Sequence, residues 1–261
     1  MPNTTYENFF LQNEIEDQYN SHLDLMQFCT IDNSLVGTAG LIKKINRYRA
    51  TDGVEKLGIG EGNTKSITAS YTQEEYKILL AQGNFKYQDE EALEDPTMVQ
   101  TGVKHIGTDM FNIGNADVYK EFAKTTQVVT STSLDFNAFV DAAALFNSEA
   151  IEGLGAFAFV NPKDIASLRK TLGEDLKYVE SFARTGYIGT VAGINVFQKK
   201  DATEGTVVVA TKEAVTWFNK KGAEVENERD ADTRTNKIFG RKYYVVALTD
   251  ETKAVKIVTQ P

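Results

Sequence analysis

The sequence is poor in the side chains on which catalysis and covalent cross-linking depend. It holds one cysteine, Cys29, and two histidines, His22 and His105. A single thiol can form neither an intrachain disulfide nor a Cys-based zinc site, as expected of a chain made in reducing cytosol. Within Met26-Gln27-Phe28-Cys29 it reads as a small packing residue, because a nucleophilic thiol needs an activating base and only the two histidines could serve. A Gly-x-Ser-x-Gly elbow, a phosphate loop and a His-Glu-x-x-His pair are all missing, which leaves a stand-alone α/β enzyme little to work with. No catalytic residue, cofactor or metal is therefore assigned. Apolar runs of the roughly 18 residues that a membrane helix needs are also missing. The opening Met1-Pro2-Asn3-Thr4-Thr5 lacks the basic and apolar regions of an export signal, so a soluble protein with no membrane partner is expected.

Positive charge is scarce as well. There are 28 Lys and Arg against 37 Asp and Glu, a net charge of −9. Residues 1–32 contain Glu7, Glu14, Glu16, Asp17, Asp24 and Asp32 and no base, which amounts to −6 and leaves −3 for the rest. A groove that grips phosphates should be basic, so sequence-specific nucleic-acid binding is disfavoured, while enclosing DNA without gripping it is not. With 261 residues, 41% of them hydrophobic and 25% charged, the chain can bury a substantial core in one large or two small domains.

What is present has a clear order. Residues 13–28 place Ile15, Tyr19, Leu23 and Met26 on one helical stripe, and Tyr6, Phe9, Phe10 and Leu11 precede it. Such an arm needs cover, either from its own body or from a neighbouring subunit. Two extended stretches, 41–50 and 66–71, flank a segment with Gly53, Gly58, Gly60 and Gly62 and predict a long β-hairpin. Arms of about a dozen residues would reach about 40 Å, against a radius of gyration of about 18 Å for a compact chain of this size. The run Gly58-Ile59-Gly60-Glu61-Gly62-Asn63 continues into strand-like Thr64-Lys65-Ser66, not into a helix, so it reads as a flexible tip and not as a dinucleotide fingerprint.

Residues 96–124 predict a long helix, with Val99, Val103, Ile106, Met110, Ile113, Val118 and Phe122 on its buried stripe, Asp95 as N-cap and Pro96 at the first position. His105 lies beside that stripe without metal-ligand spacing. After a Thr/Ser linker at 130–133 come a helix at 134–147, a strand at 156–160 and a helix at 162–172 capped by Asn161. A hairpin turning at Ala192-Gly193 and a strand at 206–210 follow. The last third reads as antiparallel strands at 223–230, 236–248 and 254–258. Glu224, Glu226, Glu228, Asp230 and Asp232 occupy one face, which suits a salt-bridged surface using Arg229, Arg234 and Arg241 better than calcium.

This order, together with AVTWFNKKGAEVENERDADTRTNKIFGRKYYVVALTDETKAVKI (214–257), GYIGTVAGINVF (186–197) and YQDEEALEDPTMVQTG (87–102), resembles the major capsid proteins of tailed bacteriophages. The resemblance covers nearly the whole chain. It implies the α+β, HK-ninety-seven-like fold: an N-arm at 1–32, then 33–130 with an extended E-loop hairpin at about 45–71 and a P-domain spine helix at about 96–124. An A-domain would span 131–222, and P-domain strands and the C-terminus 223–261. It further implies a virion protein, assembled in the host bacterial cytoplasm into hexamers and pentamers of an icosahedral head around double-stranded DNA. The arm and hairpin would lie across neighbours. Assembly contacts are then expected from Phe9, Phe10, Leu11, Ile15, Tyr19, Leu23 and Met26, and from Arg47, Arg49, Lys56, Gly58, Gly60, Glu61 and Lys65. Some capsid proteins of this kind join a hairpin lysine to a neighbour's asparagine. Lys56 or Lys65 with Asn227 or Asn236 stand in comparable places, but sequence order does not establish that geometry and all four read as ordinary surface residues. The short segment before the hairpin leads us to expect a separate scaffolding protein or a previously trimmed chain, and a portal as further partner. An encapsulin-like compartment enclosing enzyme cargo is the alternative that shares the fold.

Overall fold

The computed structural model describes residues 25–95, 97–146, 155–176 and 189–259. The arm residues Phe9, Phe10, Leu11, Ile15, Tyr19 and Leu23 lie outside them. Leu25–Phe28 forms a 3₁₀ turn, and the strands are β1 (Thr30–Asp32), β2 (Ile42–Ala50), β3 (Ala69–Lys77), β4 (Leu79–Gln88), β5 (Val128–Ser131), β6 (Phe157–Val160), β7 (Thr190–Val191), β8 (Ile194–Gln198), β9 (Thr206–Ala210), β10 (Val215–Asp230), β11 (Thr235–Leu248) and β12 (Ala254–Thr259). The helices are α1 (Asp89–Glu94), α2 (Thr97–Phe122), α3 (Phe136–Leu145) and α4 (Pro162–Leu176).

The described residues form three sheets. The outer sheet has the order β1-β10-β11-β4, the central sheet β5-β12-β9-β6-β8-β7, and β2 pairs only with β3. The central sheet is apolar on both faces. One face packs on α3 and α4 through Phe139, Ala142, Ile165, Leu168 and Leu172. The other meets the end of α2, the 3₁₀ turn and the outer sheet through Val118, Phe122, Phe157, Phe159 and Trp217. Both helix starts follow from their caps: Asp135 accepts from the Ala138 amide at 3.0 Å and Asn161 from the Lys163 amide at 3.0 Å.

Helix α2 has 26 residues and so runs about 39 Å along the outer sheet. Asp95 accepts from the Thr97 amide at 2.9 Å and from its hydroxyl at 2.7 Å, as the N-cap reading required. The buried face carries Val103, Ile106, Met110, Val118 and Phe122 together with Gly102, Gly107 and Gly114. The glycines bring the helix down onto β4: a Cβ on Gly102 would sit 2.6 Å from the Phe85 ring, and one on Gly83 3.2 Å from Ile106. Ile113, expected on this face, is 49% exposed instead, because the close approach is made by Met110 and Gly114 on either side of it.

Three other expectations are corrected. Residues 25–32 are not a free arm: Leu25 and Cys29 are buried, and β1 pairs in parallel with Thr216, Trp217 and Phe218 of β10. Residues 215–222 belong to the outer sheet and not to the central domain, since β10 runs unbroken past the expected boundary. Strand β12 goes the other way and inserts between β5 and β9 of the central sheet. Strand β4 and helix α1, which no sequence signal marked, link the hairpin to α2.

Candidate assembly interface

The hairpin is built from alternation. Register runs from Ile42 opposite Lys77 to Ala50 opposite Ala69. Ile45 and Tyr76 turn toward the body and are buried against Phe218, Val245 and Ala247 of the outer sheet. Tyr48 and Tyr71 stand opposite each other on the other face, ring centroids 5.9 Å apart, with 71% and 64% of their surfaces exposed. Such an aromatic pair stabilises the ladder but leaves apolar area in water.

Residues 51–68 continue beyond the strands. Their order comes from their own side chains: the Glu55 carboxylate accepts from the Thr64 amide at 3.0 Å and hydroxyl at 2.7 Å, and Glu61 accepts from the Gly58 amide at 2.9 Å. These bonds to Thr64 hold the Glu55 carboxyl below its ordinary value. Gly60 turns the chain at φ +85°, where a side chain would be strained. With carboxylates already on the loop amides, this is no phosphate cradle. The tip instead presents Val54, Ile59 and Ile67, 88%, 109% and 59% exposed.

The expected contact residues divide. Gly58, Gly60, Lys56 and Lys65 sit on the exposed tip, and neither lysine has an ion-pair partner among the described residues. Glu61 is turned into its own loop. Arg49 lies on β2. Met26 is half-buried against the subunit's own core. Arg47 is also committed within the subunit. Its guanidinium donates to Glu74 at 2.7 Å, to the Tyr76 hydroxyl at 3.1 Å, to Glu251 at 2.9 Å and to the Leu248 carbonyl at 2.7 Å. Its location on a projecting strand could not reveal this, because Glu251 and Leu248 lie some two hundred residues away and only the sheet register brings them near. The same holds for Tyr48 and Tyr71, whose pairing is visible only once strands are aligned.

The remaining polar clusters are structural. Glu226 pairs with Arg241 at 2.5 Å and Glu228 with Lys237 at 3.5 Å, as a salt-bridged face requires. Arg229 and Arg234 reach α1 instead, bonding Asp89 at 2.6 Å and Glu90 at 2.7 Å. Asn236 donates to Asp89 at 2.6 Å, so its amide is already engaged. Hydrogen bonds from Arg229 and Asn236 hold the Asp89 carboxyl below the usual range. His105 is exposed on α2, and among the described residues no group of three or more His, Cys, Asp or Glu is placed to hold a metal. Among the described residues no helix is long and apolar enough to cross a membrane.

No family profile matches the chain. It is similar to the major capsid protein of Staphylococcus phage phiMR11, with 26% identity over 256 residues, covering 93% of this chain and 89% of that protein. Among solved structures it is similar to the capsid of a native GTA particle, with TM-score 0.71 and 12% identity over 91% of this chain and 90% of that one. It is also similar to a structure from Mycobacterium phage Che8, with TM-score 0.65 and 16% identity over 87% and 88% of the two chains. The fold is thus that of phage capsid subunits, a mixed α/β, HK-ninety-seven-like architecture. Likeness in sequence to a phage major capsid protein and likeness in fold to capsid subunits thus fall on the same chain.

Proposed function

We propose that many copies of this chain tile an icosahedral phage head as hexamers and pentamers around double-stranded DNA, with the hairpin of each copy covering a neighbour. The observation that carries this is the run of exposed apolar side chains, Tyr48, Val54, Ile59, Ile67 and Tyr71, on a segment with no core of its own. Left in water, that surface is a cost of about 25 cal/mol for each Å² that a neighbour could cover. In this reading β2–β3 with its tip is the E-loop, α2 and the outer sheet are the P-domain, and the central sheet with α3 and α4 is the axial A-domain. Residues 1–24 supply an acidic N-arm with its aromatic cluster. A separate scaffolding protein and a portal complete the assembly in the bacterial cytoplasm.

The low positive charge supports packaged DNA that is enclosed and not gripped by sequence. The cargo-compartment alternative is not favoured, since the sequence likeness to a phage capsid protein runs through 93% of the chain. Electron microscopy of the expressed protein, with and without a candidate scaffold, is the test. Shells, rings or tubes are expected from the native chain. Ile59→Asp combined with Tyr71→Asp should abolish them while costing the unassembled subunit no more than the Tyr48–Tyr71 pair contributes, about 0.2 to 1 kcal/mol. A native chain that stays a small monomer under every condition would sink the reading.

A further inference from the structure

We propose that the seat of the hairpin is a latch governed by the charge on Glu121: the stem beds onto the body when this carboxyl is neutral and lifts more readily when it is ionised. The seat joins three elements. From the stem come Arg47, Glu74 and Tyr76, from α2 Glu121 and Lys124, and from the turn before β12 Glu251. Arg47 ties the stem to that turn and to the end of β11. Lys124 bonds one Glu121 oxygen, Oε1, at 2.6 Å and lies 5.2 Å from the centre of the Tyr76 ring.

The second oxygen, Oε2, is buried without a hydrogen-bond partner, and the residue is only 8% exposed. An ionised carboxylate with an orphaned oxygen is among the costlier things a protein can bury. Within the seat three carboxylates, Glu74, Glu121 and Glu251, share two cations, Arg47 and Lys124. One negative charge is therefore in excess. The small cavity beside it, about 150 Å³, adds no cation committed to this carboxyl. Its Lys77 and Lys120 are exposed, and its Asp117 already accepts from the Tyr244 hydroxyl at 2.7 Å. Burial raises the Glu121 carboxyl above its ordinary value, the Lys124 bond and charge and the Leu248 backbone oppose this, and Glu74 adds to it. Tyr76 and Lys77 of the stem line that same cavity beside Glu121, so lifting the stem widens the access of water to this carboxyl.

The sign follows. A carboxyl raised in the seated state contributes stability that is fully present below its ordinary value and is lost as pH rises through the seated one. Amide exchange of the full, unassembled chain tests this at residues 43–47 and 74–78, with β9 as internal reference, from about pH 5 to about pH 8 and corrected for the intrinsic rate. Stem protection relative to β9 should fall as pH rises, about tenfold for each unit by which the Glu121 pKa differs between seated and lifted stem. In Glu121→Gln the stem should stay protected at every pH. In Glu74→Gln, which keeps Glu121 but removes a neighbouring negative charge, the step should move to lower pH. A stem that tracks β9 throughout in the native chain, or a step unmoved in Glu74→Gln, would overturn the latch, and the second variant decides the matter even if Glu121→Gln does not fold. Shell formation does not enter the measurement, so failure here leaves the capsid reading standing.

Discussion

At the scale of single residues, the closest tolerances lie where glycine lets α2 approach β4. Gly102 faces the Phe85 ring, itself stacked on Tyr87 with centroids 5.8 Å apart, and both aromatics pack into the cluster of Val103, Ile106, Met110 and Ile238. A methyl group at Gly102 would land 2.6 Å from the Phe85 ring carbons, which must shift to admit it. Gly102→Ala should therefore cost about 1 to 3 kcal/mol, the usual price of overpacking, even though alanine is the better helix former. Gly83→Ala, whose added carbon would stand 3.2 Å from a terminal methyl of Ile106, should cost much less. Thermal unfolding of the two variants side by side checks the difference, and equal midpoints would contradict the packing argument. Sequence periodicity had marked Val103, Ile106 and Met110 correctly as core, since a period of 3.6 is a property of the helix alone. It could not show that Gly102 meets Phe85, nor that Ile113 is left outside, because both depend on what the helix packs against.

At the scale of elements, the boundary between arm and body moves. Residues 25–32 contribute the buried Leu25 and Cys29, the Phe28 ring 4.8 Å from both Phe157 and Phe197, and a strand beside β10. The Leu25 amide also donates to Asn115 of α2 at 2.9 Å. Deleting residues 1–32 should then remove core side chains worth on the order of 1.5–3 kcal/mol each and lower the thermal midpoint markedly. Deleting only residues 1–24 should leave the subunit's midpoint near native while impairing assembly, if that segment is the contact it is proposed to be. Circular dichroism melts and particle yields of the two truncations separate the roles, and a body equally destabilised by both would refute the division. Acidic charge without a base runs to residue 32 and so points to an arm of that length, yet charge does not report pairing. The 3₁₀ turn and β1 are too short to announce themselves, and β1 is held by a strand nearly two hundred residues away.

At the scale of the whole molecule, a subunit that carries apolar surface on an exposed hairpin would, in the proposed shell, gain stability from its neighbours by mass action. Assembled particles should consequently melt at a higher temperature than unassembled subunits. Variants of the exposed pair, such as Tyr71→Ser, should lower the particle's melting temperature clearly more than that of the free subunit, which loses only the cross-strand pair, and calorimetry on both species measures the difference. An equal shift in both would mean that Tyr71 supports its own subunit and not an interface. The hairpin latch acts at the same scale, because the angle at which the stem leaves the body decides where the tip can reach.

Amino-acid order by itself determined the order of the longer elements, the hairpin with its glycine tip, the long helix and its cap at Asp95, and the likeness to capsid proteins. Each of these rests on local signals: periodicity, turn chemistry, capping and composition. Tertiary structure alone decided that the start of β10 joins the outer sheet and β12 the central one, that Arg47 is spent inside its own subunit, and that one oxygen of Glu121 is left without a partner beneath the stem. Those facts depend on strand register and on pairings between residues far apart in the chain, and a one-residue change of register reverses which face a side chain occupies.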